Sequence, residues 1–147
     1  MKTEIRKGTA FDASFIFELE KQIFSDTWSF DSIRDILASD ASLSYVMEFE
    51  GEVIAYILGS RILPEGEIYR VATKESMRGR GFAARLLNFL FEKEGSLGVT
   101  DLYLEVREGN VSARRLYTGC GFEEISLRKG YYKSPVENAV IMHRSIK

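Results

Sequence analysis

A chain of 147 residues, 45% hydrophobic and 29% charged, has the size and composition of one globular domain and argues against long disordered tracts. Its 20 basic and 22 acidic residues leave a net charge of −2, which excludes a global electrostatic footprint for nucleic acid and requires any anion site to be local. A single cysteine and a single histidine exclude an intrachain disulfide and a Cys/His zinc cluster, and no apolar run reaches signal-peptide or membrane-span length, so the expectation is a cytoplasmic protein without a metal.

Thr3–Arg6 reads as a short strand. Thr9-Ala10-Phe11-Asp12 opens a helix on which Phe11, Phe15, Leu19 and Ile23 form an apolar stripe. Ser29 caps a second helix carrying Phe30, Ile33, Ile36 and Leu37, which ends before Ser39-Asp40-Ala41-Ser42. Phe24 and Trp28, between the two helices, read as core aromatics rather than walls of a groove. Ser44–Phe49 and Val53–Ile62 flank Glu50-Gly51-Glu52 as a hairpin, and Pro64-Glu65-Gly66 turns the chain into a third antiparallel strand, Glu67–Thr73.

At Arg78 the organisation changes. A glycine-containing turn enters a helix with Ala83, Leu86, Leu87, Leu90 and Phe91 on its buried side, closing near Gly95, and the strand Asp101–Val106 follows. That strand–helix–strand order predicts two parallel strands inside an otherwise antiparallel sheet. Asn110 caps a short helix through Tyr117; Phe122–Tyr132, a turn at Ser134-Pro135 and the strand Ala139–Ile146 complete the chain. No repeat or linker divides it, so residues 1–147 are expected to form a single domain.

The most informative segment is Arg78-Gly79-Arg80-Gly81-Phe82-Ala83, because a turn that opens a helix points unpaired N–H groups and the positive end of the helix dipole at whatever lies before it. Gly81 lets a phosphate approach the backbone, and Lys74, Arg78, Arg80 and Arg85 against Glu75 leave a local positive surplus. Solvated arginines at an ordinary helix start fit the same letters. Gly79-x-Gly81-x-x-Ala84 also satisfies a dinucleotide fingerprint, with Glu105 at the end of the next strand, where a ribose-binding acid is sought. The polar stretch Lys74–Met77 before the turn and the single crossover after a hairpin-rich first half count against that fold.

The same segment resembles the Gln/Arg-x-x-Gly-x-Gly/Ala cofactor motif of the GNAT superfamily of N-acetyltransferases. Leu104-Glu105-Val106-Arg107, Asn110, Ala113, Leu116-Tyr117 and Gly121-Phe122 are similar to the block of its ribosomal-protein-alanine N-acetyltransferase (RimI) branch, and Tyr131-Tyr132 agrees. The resemblance implies an α/β (α+β) fold with a mixed, mostly antiparallel sheet, split into a V by a bulged strand and flanked by about four helices. It also implies acetyl-coenzyme A (acetyl-CoA) as co-substrate, its pantetheine arm along Val71, Ala72 and Thr73 and its pyrophosphate over Arg78, Gly79, Arg80, Gly81, Phe82, Ala83 and Ala84. By the same resemblance Asn110 contacts the arm, the Val71 N–H meets the thioester oxygen, Glu105 is the general base and Tyr117 the general acid. The implied acceptor is the N-terminal alanine of a small-subunit ribosomal protein, reached by direct transfer, without nucleic-acid or membrane contact.

A lysine, a polyamine or another small amine as acceptor remains open, as do a dinucleotide-binding protein and a non-catalytic acyl-CoA sensor. Tyr131 and Tyr132 alternate along their strand, so one is expected to face the substrate and the other to pack. Cys120 reads as a small buried hydrophobe rather than a nucleophile, although Thr118-Gly119-Cys120 departs from the branch pattern in a way expected to loosen the helix end. His143 reads as a strand-face residue.

Overall fold

Local chemistry starts and stops most elements in the computed structural model, which describes residues 2–133 and 135–147. β1 (Thr3–Lys7) leads through a 3-10 turn at Ala10–Asp12 into α1 (Ala13–Ile23). α2 (Phe30–Ala38) begins where the Ser29 hydroxyl accepts the Ser32 N–H at 3.1 Å, the cap that the sequence predicts. β2 (Tyr45–Phe49) and β3 (Glu52–Ile62) form the expected hairpin, closed by Glu50 and Gly51 at φ 52° and 78°, the left-handed pair that a two-residue hairpin turn requires. β4 (Glu65–Thr73), α3 (Phe82–Ser96) and β5 (Asp101–Arg107) make the parallel crossover, and α4 (Val111–Gly119), β6 (Glu123–Lys133) and β7 (Val136–Ser145) follow. The turn expected at Ser134 falls, for that residue, outside the described residues. Among the described residues no helix is long and apolar enough to cross a membrane.

The strands form one sheet in the order β1-β2-β3-β4-β5-β7-β6, antiparallel except between β4 and β5. Leu86, Leu87 and Leu90 of α3 and Tyr117 of α4 pack with Met47, Ile57 and Leu104 on one face. α1 and α2 cover the other, with Ile16, Leu19 and Ile33 against Val46, Tyr56 and Leu58. The α1 stripe differs from expectation: Phe11 is 93% and Phe15 51% exposed, whereas Ala13, Ile16 and Leu19 are buried. Residues spaced by four drift about 40° per step around a helix of 3.6 residues per turn, so a stripe from Phe11 to Ile23 cannot stay on one face. The entry to α1 is fixed instead by Asp12, whose buried carboxylate takes two bonds from Arg6, at 2.8 and 2.7 Å, and the Thr9 N–H at 2.8 Å.

One irregularity shapes the sheet. Leu58 pairs with Arg70 and Gly59 with Ile68, so Tyr69 has no partner on β3 and β4 bulges there. A Cβ on Gly59 would collide with the Glu67 carbonyl oxygen and the Leu43 side chain, which is why glycine stands opposite the bulge. β4 and β5 pair only from Glu65↔Asp101 to Ile68↔Leu104; past the bulge they diverge, and β5 continues with β7 alone.

The α4 end is well closed, against the loosening expected from Thr118-Gly119-Cys120. Cys120 N–H reaches Leu116 O at 3.0 Å and Phe122 N–H reaches Tyr117 O at 3.0 Å, with Gly121 in the left-handed region at φ 92°.

Buried charge ties helices to sheet. Glu94 of α3 is fully buried, and it accepts two bonds from Arg61 of β3, at 2.6 and 2.9 Å, and one from the Tyr45 hydroxyl of β2. Glu94→Ala removes the counter-charge of the largely buried Arg61 guanidinium, leaving it only the Asp40 and Ser42 carbonyls, and is expected to cost about 3–5 kcal/mol, whereas Glu94→Gln, which keeps the shape, costs less. Urea unfolding midpoints of the two variants test this, and an alanine variant as stable as the wild type removes the network from the stability of the fold.

Candidate active site

The gap left where β4 and β5 part is a cleft of about 670 Å³. Its β4 wall is an unpaired strand edge. Lys74 N–H donates to Ile54 O at 2.8 Å, and alternation along an antiparallel ladder then makes Tyr56 and Ala72 the pair that exchanges hydrogen bonds. The N–H groups of Val71 and Thr73 therefore point away from β3 and into the cleft. Ala72 lines the wall, but its own backbone groups are committed to β3. The Thr73 carbonyl is taken by Arg78 Nε at 3.1 Å, which draws the following turn against the strand.

That turn closes one end of the cleft with Arg78, Gly79, Gly81, Phe82, Ala83 and Ala84. Gly79 and Gly81 have φ 77° and 76° with open space where a Cβ would stand, so backbone conformation rather than crowding requires glycine. The first helical bond of α3 runs from Arg85 N–H to Gly81 O, which leaves the N–H groups of Phe82, Ala83 and Ala84 without a helical acceptor. The expected cluster of four cations is dispersed. Lys74 pairs with Glu52 at 2.5 Å, Arg85 turns to the Thr3 hydroxyl at 3.1 Å, Arg80 is exposed, and Arg78 lines the cleft. An extended molecule with an amide-bearing arm and an anionic end fits this wall: an unpaired strand edge for the amides, then a helix N-terminus for the anion.

Asn110 and Tyr117 form the opposite wall, on α4. Asn110 caps that helix through its side-chain oxygen, which accepts the Ala113 N–H at 3.2 Å. Tyr117 stands at a junction, lining both the large cleft and a second cavity that also contains Glu105. Burial pushes the Tyr117 phenol well above its ordinary value, with the neighbouring Tyr132 and Cys120 adding to the effect. Glu105 follows the last residue that β5 shares with β4, and Arg128 Nη1 of β6 donates to it at 3.0 Å. The structure thus gathers Val71, Asn110, Tyr117 and Glu105 around one cavity, with the glycine turn further along the cleft.

A third cavity, about 370 Å³, opens beyond Glu105 and shares Asp26, Tyr69, Arg70 and Tyr132 with the second. Here the sequence reading missed several residues. Phe24 and Trp28, expected to be core, are half-buried and line the cavities, with Arg70 Cζ 4.0 Å above the Phe24 ring and 5.8 Å from Trp28. Arg70 is held by Asp26, at 2.7 Å to its carbonyl oxygen, and by the buried Glu20 at 3.4 Å. Their signal was the density of aromatics in the segment from Phe24 to Trp28; Arg70 carried none, because its partners lie far away in sequence.

Tyr131 and Tyr132 both line this third cavity, contrary to the expected division of roles. β6 holds extra residues between Arg128↔Ala139 and Tyr132↔Glu137, with Gly130 at φ 62°, so strict alternation fails and the two rings meet edge to face at 5.2 Å. The Glu105 charge holds the Tyr131 phenol above its ordinary value. Cys120 is buried and its thiol is pushed up by burial, which keeps it in the unreactive protonated form. His143 bonds Asp101 at 2.7 Å and sets its ring, tilted, 4.9 Å from that of Tyr103, as a strand-face residue. Among the described residues no group of three or more His, Cys, Asp or Glu is arranged to hold a metal ion.

Residues 13–122 match the acetyltransferase (GNAT) family. A [ribosomal protein bS18]-alanine N-acetyltransferase of Haemophilus influenzae is 34% identical over 136 residues, covering 90% of this chain and 92% of that protein. The crystal structure of the ribosomal-protein-S18-alanine N-acetyltransferase from Escherichia coli superposes with a TM-score of 0.93 at 25% identity, covering 99% of this chain and 95% of the other. Arabidopsis thaliana NAA60 in complex with acetyl-CoA shares the fold at a TM-score of 0.89 and 17% identity, over 98% and 99% of the two chains.

The Tyr117 geometry has a titration consequence. Its folded pKa lies above the unfolded value of about 10, so its contribution to stability is fully present below that pH and is lost as the pH rises beyond it. In alkaline titration followed by near-ultraviolet absorbance, Tyr117→Phe is expected to remove one phenol from the late phase that accompanies unfolding and none from the early phase. Loss from the early phase would place this hydroxyl in open solvent.

Proposed function

The chain belongs to the acetyltransferase (GNAT) family, and from that premise we propose that it acetylates the N-terminal α-amine of a protein, with alanine at the start of a small-subunit ribosomal protein as its preferred acceptor. It is an N-acetyltransferase; its acetyl donor is acetyl-CoA, and residues 1–147 act as one catalytic domain. One observation carries the reading: past the Tyr69 bulge, the cleft-facing N–H of Val71 and the side chains of Glu105 and Tyr117 border the same cavity. The relative from Haemophilus influenzae supports the acceptor by its name and by 34% identity over 90% of this chain.

Bound along the β4 edge, acetyl-CoA supplies an activated acetyl thioester. The Val71 N–H donates to the carbonyl oxygen as negative charge builds there, a contact whose removal elsewhere costs about 3–4 kcal/mol. Thr73 N–H and Asn110 hold the arm, while Arg78 and the N–H groups at the start of α3 hold the pyrophosphate. Only a neutral amine is nucleophilic, and Glu105 takes the proton of the attacking nitrogen. An α-amine, with a pKa near 8, needs less help than a lysine at about 10.4, which favours a terminal acceptor for a carboxylate base. Tyr117, kept protonated by burial, gives its proton to the departing sulfur.

Release of coenzyme A thiol is expected with peptides that begin with a free alanine and not with N-terminally blocked, lysine-containing counterparts. Activity on the blocked peptides moves the acceptor to lysine, and activity confined to polyamines moves it to small amines. Glu105→Gln is expected to lower kcat by about 100-fold or more with acetyl-CoA affinity near that of the wild type. Tyr117→Phe is expected to slow the chemical step in single-turnover traces while the fold is retained. Unchanged chemistry in either variant removes that residue from the mechanism.

A further inference from the structure

Two protons must leave the acceptor nitrogen. A terminal ammonium enters with three N–H bonds, and the amide product keeps one. One proton departs before attack, to free the lone pair, and the second departs as the new C–N bond forms. Glu105 accounts for one of them.

Glu67 stands beside it. The carboxylate lines the cavity of about 370 Å³ together with Glu105, Trp28 and Tyr131. In the register of the parallel strands Glu67 lies opposite Tyr103, two residues before Glu105 and on the same face of β5. The charged and titratable groups around it are Glu105 and Tyr103 on β5, with His143 of β7 against Tyr103, and Arg128, Tyr131 and Tyr132 on β6. Tyr69 and Arg70 of β4 and Asp26 of the segment before α2 complete the set. Arg70 is already engaged by Asp26 and Glu20. Arg128 bonds Glu105 at 3.0 Å from a side chain that is 55% exposed, with its guanidinium 4.9 Å from the centre of the Tyr131 ring, so a cation already rests at this carboxylate at the solvent-facing rim of the cavity.

Resting on the acceptor reading above, we infer that Glu67 is a second proton acceptor of the active site: with Glu105 it holds the incoming ammonium in place of Arg128 and takes its first proton. The N–H bond of the ammonium breaks, its electron pair stays on nitrogen, and the proton goes to a Glu67 carboxylate oxygen. Glu105 then receives the second proton as nitrogen bonds to the acetyl carbon, the C–S bond breaks, and the sulfur takes the Tyr117 proton. Transfer back from Glu105 to Tyr117 leaves one proton on Glu67 for release to solvent, which balances ammonium plus thioester against amide, thiol and one proton. Partial burial first, and the Glu105 charge second, hold Glu67 above the ordinary carboxylate range, with Arg128 opposing, so its affinity for a proton is matched more closely to that of an amine.

The test is kcat/KM against pH for wild type, Glu67→Gln and Glu105→Gln, on whichever amine the wild type acetylates from a panel of free-terminus peptides, lysine peptides and polyamines. For a terminal amine of pKa about 8, about 3% is neutral near pH 6.5, so Glu67→Gln is expected to lose up to about 30-fold there and less than about twofold near pH 9. Glu105→Gln is expected to lose activity across the whole range. A Glu67→Gln deficit that does not change with pH, or no deficit at all, overturns the inference, because a structural role has no reason to track the ionisation of the acceptor. Wild-type preference for lysine or polyamines overturns the acceptor reading alone, while the ratio of the two enzymes still decides Glu67. Silence on every amine overturns both.

Discussion

Backbone hydrogen bonds in a sheet leave little slack, and β4 carries one residue more than β3 can match. Up to Ile68 the strand serves two neighbours; after Tyr69 it serves β3 alone. Of the peptide groups of Val71 and Thr73 that point away from β3, the Thr73 carbonyl is met by Arg78, and the others have no strand to meet; a protein interior does not tolerate such groups dry. Those others are satisfied by solvent or by a ligand with amides of its own. The cleft, the wall that lines it and the approach of α4 across the gap all follow from that single mismatch.

Around this opening the fold uses charge where it might have used apolar packing. Glu20, fully buried, receives the Tyr56 hydroxyl, Arg70 and the Trp28 N–H, and so joins α1, β3, β4 and the segment that carries the aromatic wall. Such a set costs a great deal to desolvate and gives little net stability over apolar side chains of the same volume, but losing any one partner leaves the buried carboxylate short of a donor. The aromatic faces of Phe24 and Trp28 are therefore held at fixed positions by the guanidinium between them. Glu94 plays a comparable part on the other side of the sheet, far from the cleft, and there it anchors α3, whose N-terminus forms one end of the site.

What the sequence made legible was local. Ser29, Asn110 and the Gly79–Gly81 turn act within a few residues of themselves, and each was readable from its neighbours. The crossover from β4 to β5 was readable too, because strand, helix and strand follow one another with short connections. Misreadings arose where tertiary contacts override a local pattern. Phe11 and Phe15 satisfied a spacing of four but sat on the wrong side of a face set by Asp12 and Arg6. Tyr131 and Tyr132 alternate in sequence, yet extra residues in β6 bring them to one cavity. Counting cations near the glycine turn overlooked Glu52 and Thr3, which draw two of them aside. Glu67 carries no signal in the sequence, since its relation to Glu105 exists only once β4 and β5 lie side by side.

The strand order also has a consequence for synthesis. β7 lies between β5 and β6, so β6 pairs with nothing until the strand made after it has been inserted. A nascent chain that has reached only Lys133 offers eleven residues of strand with no ladder to join, protected from association by the charges of Glu123, Glu124, Arg128, Lys129 and Lys133. Arg128, Tyr131 and Tyr132 can be held beside Glu105 only once β7 has been made, because β7 is the strand that joins β6 to β5.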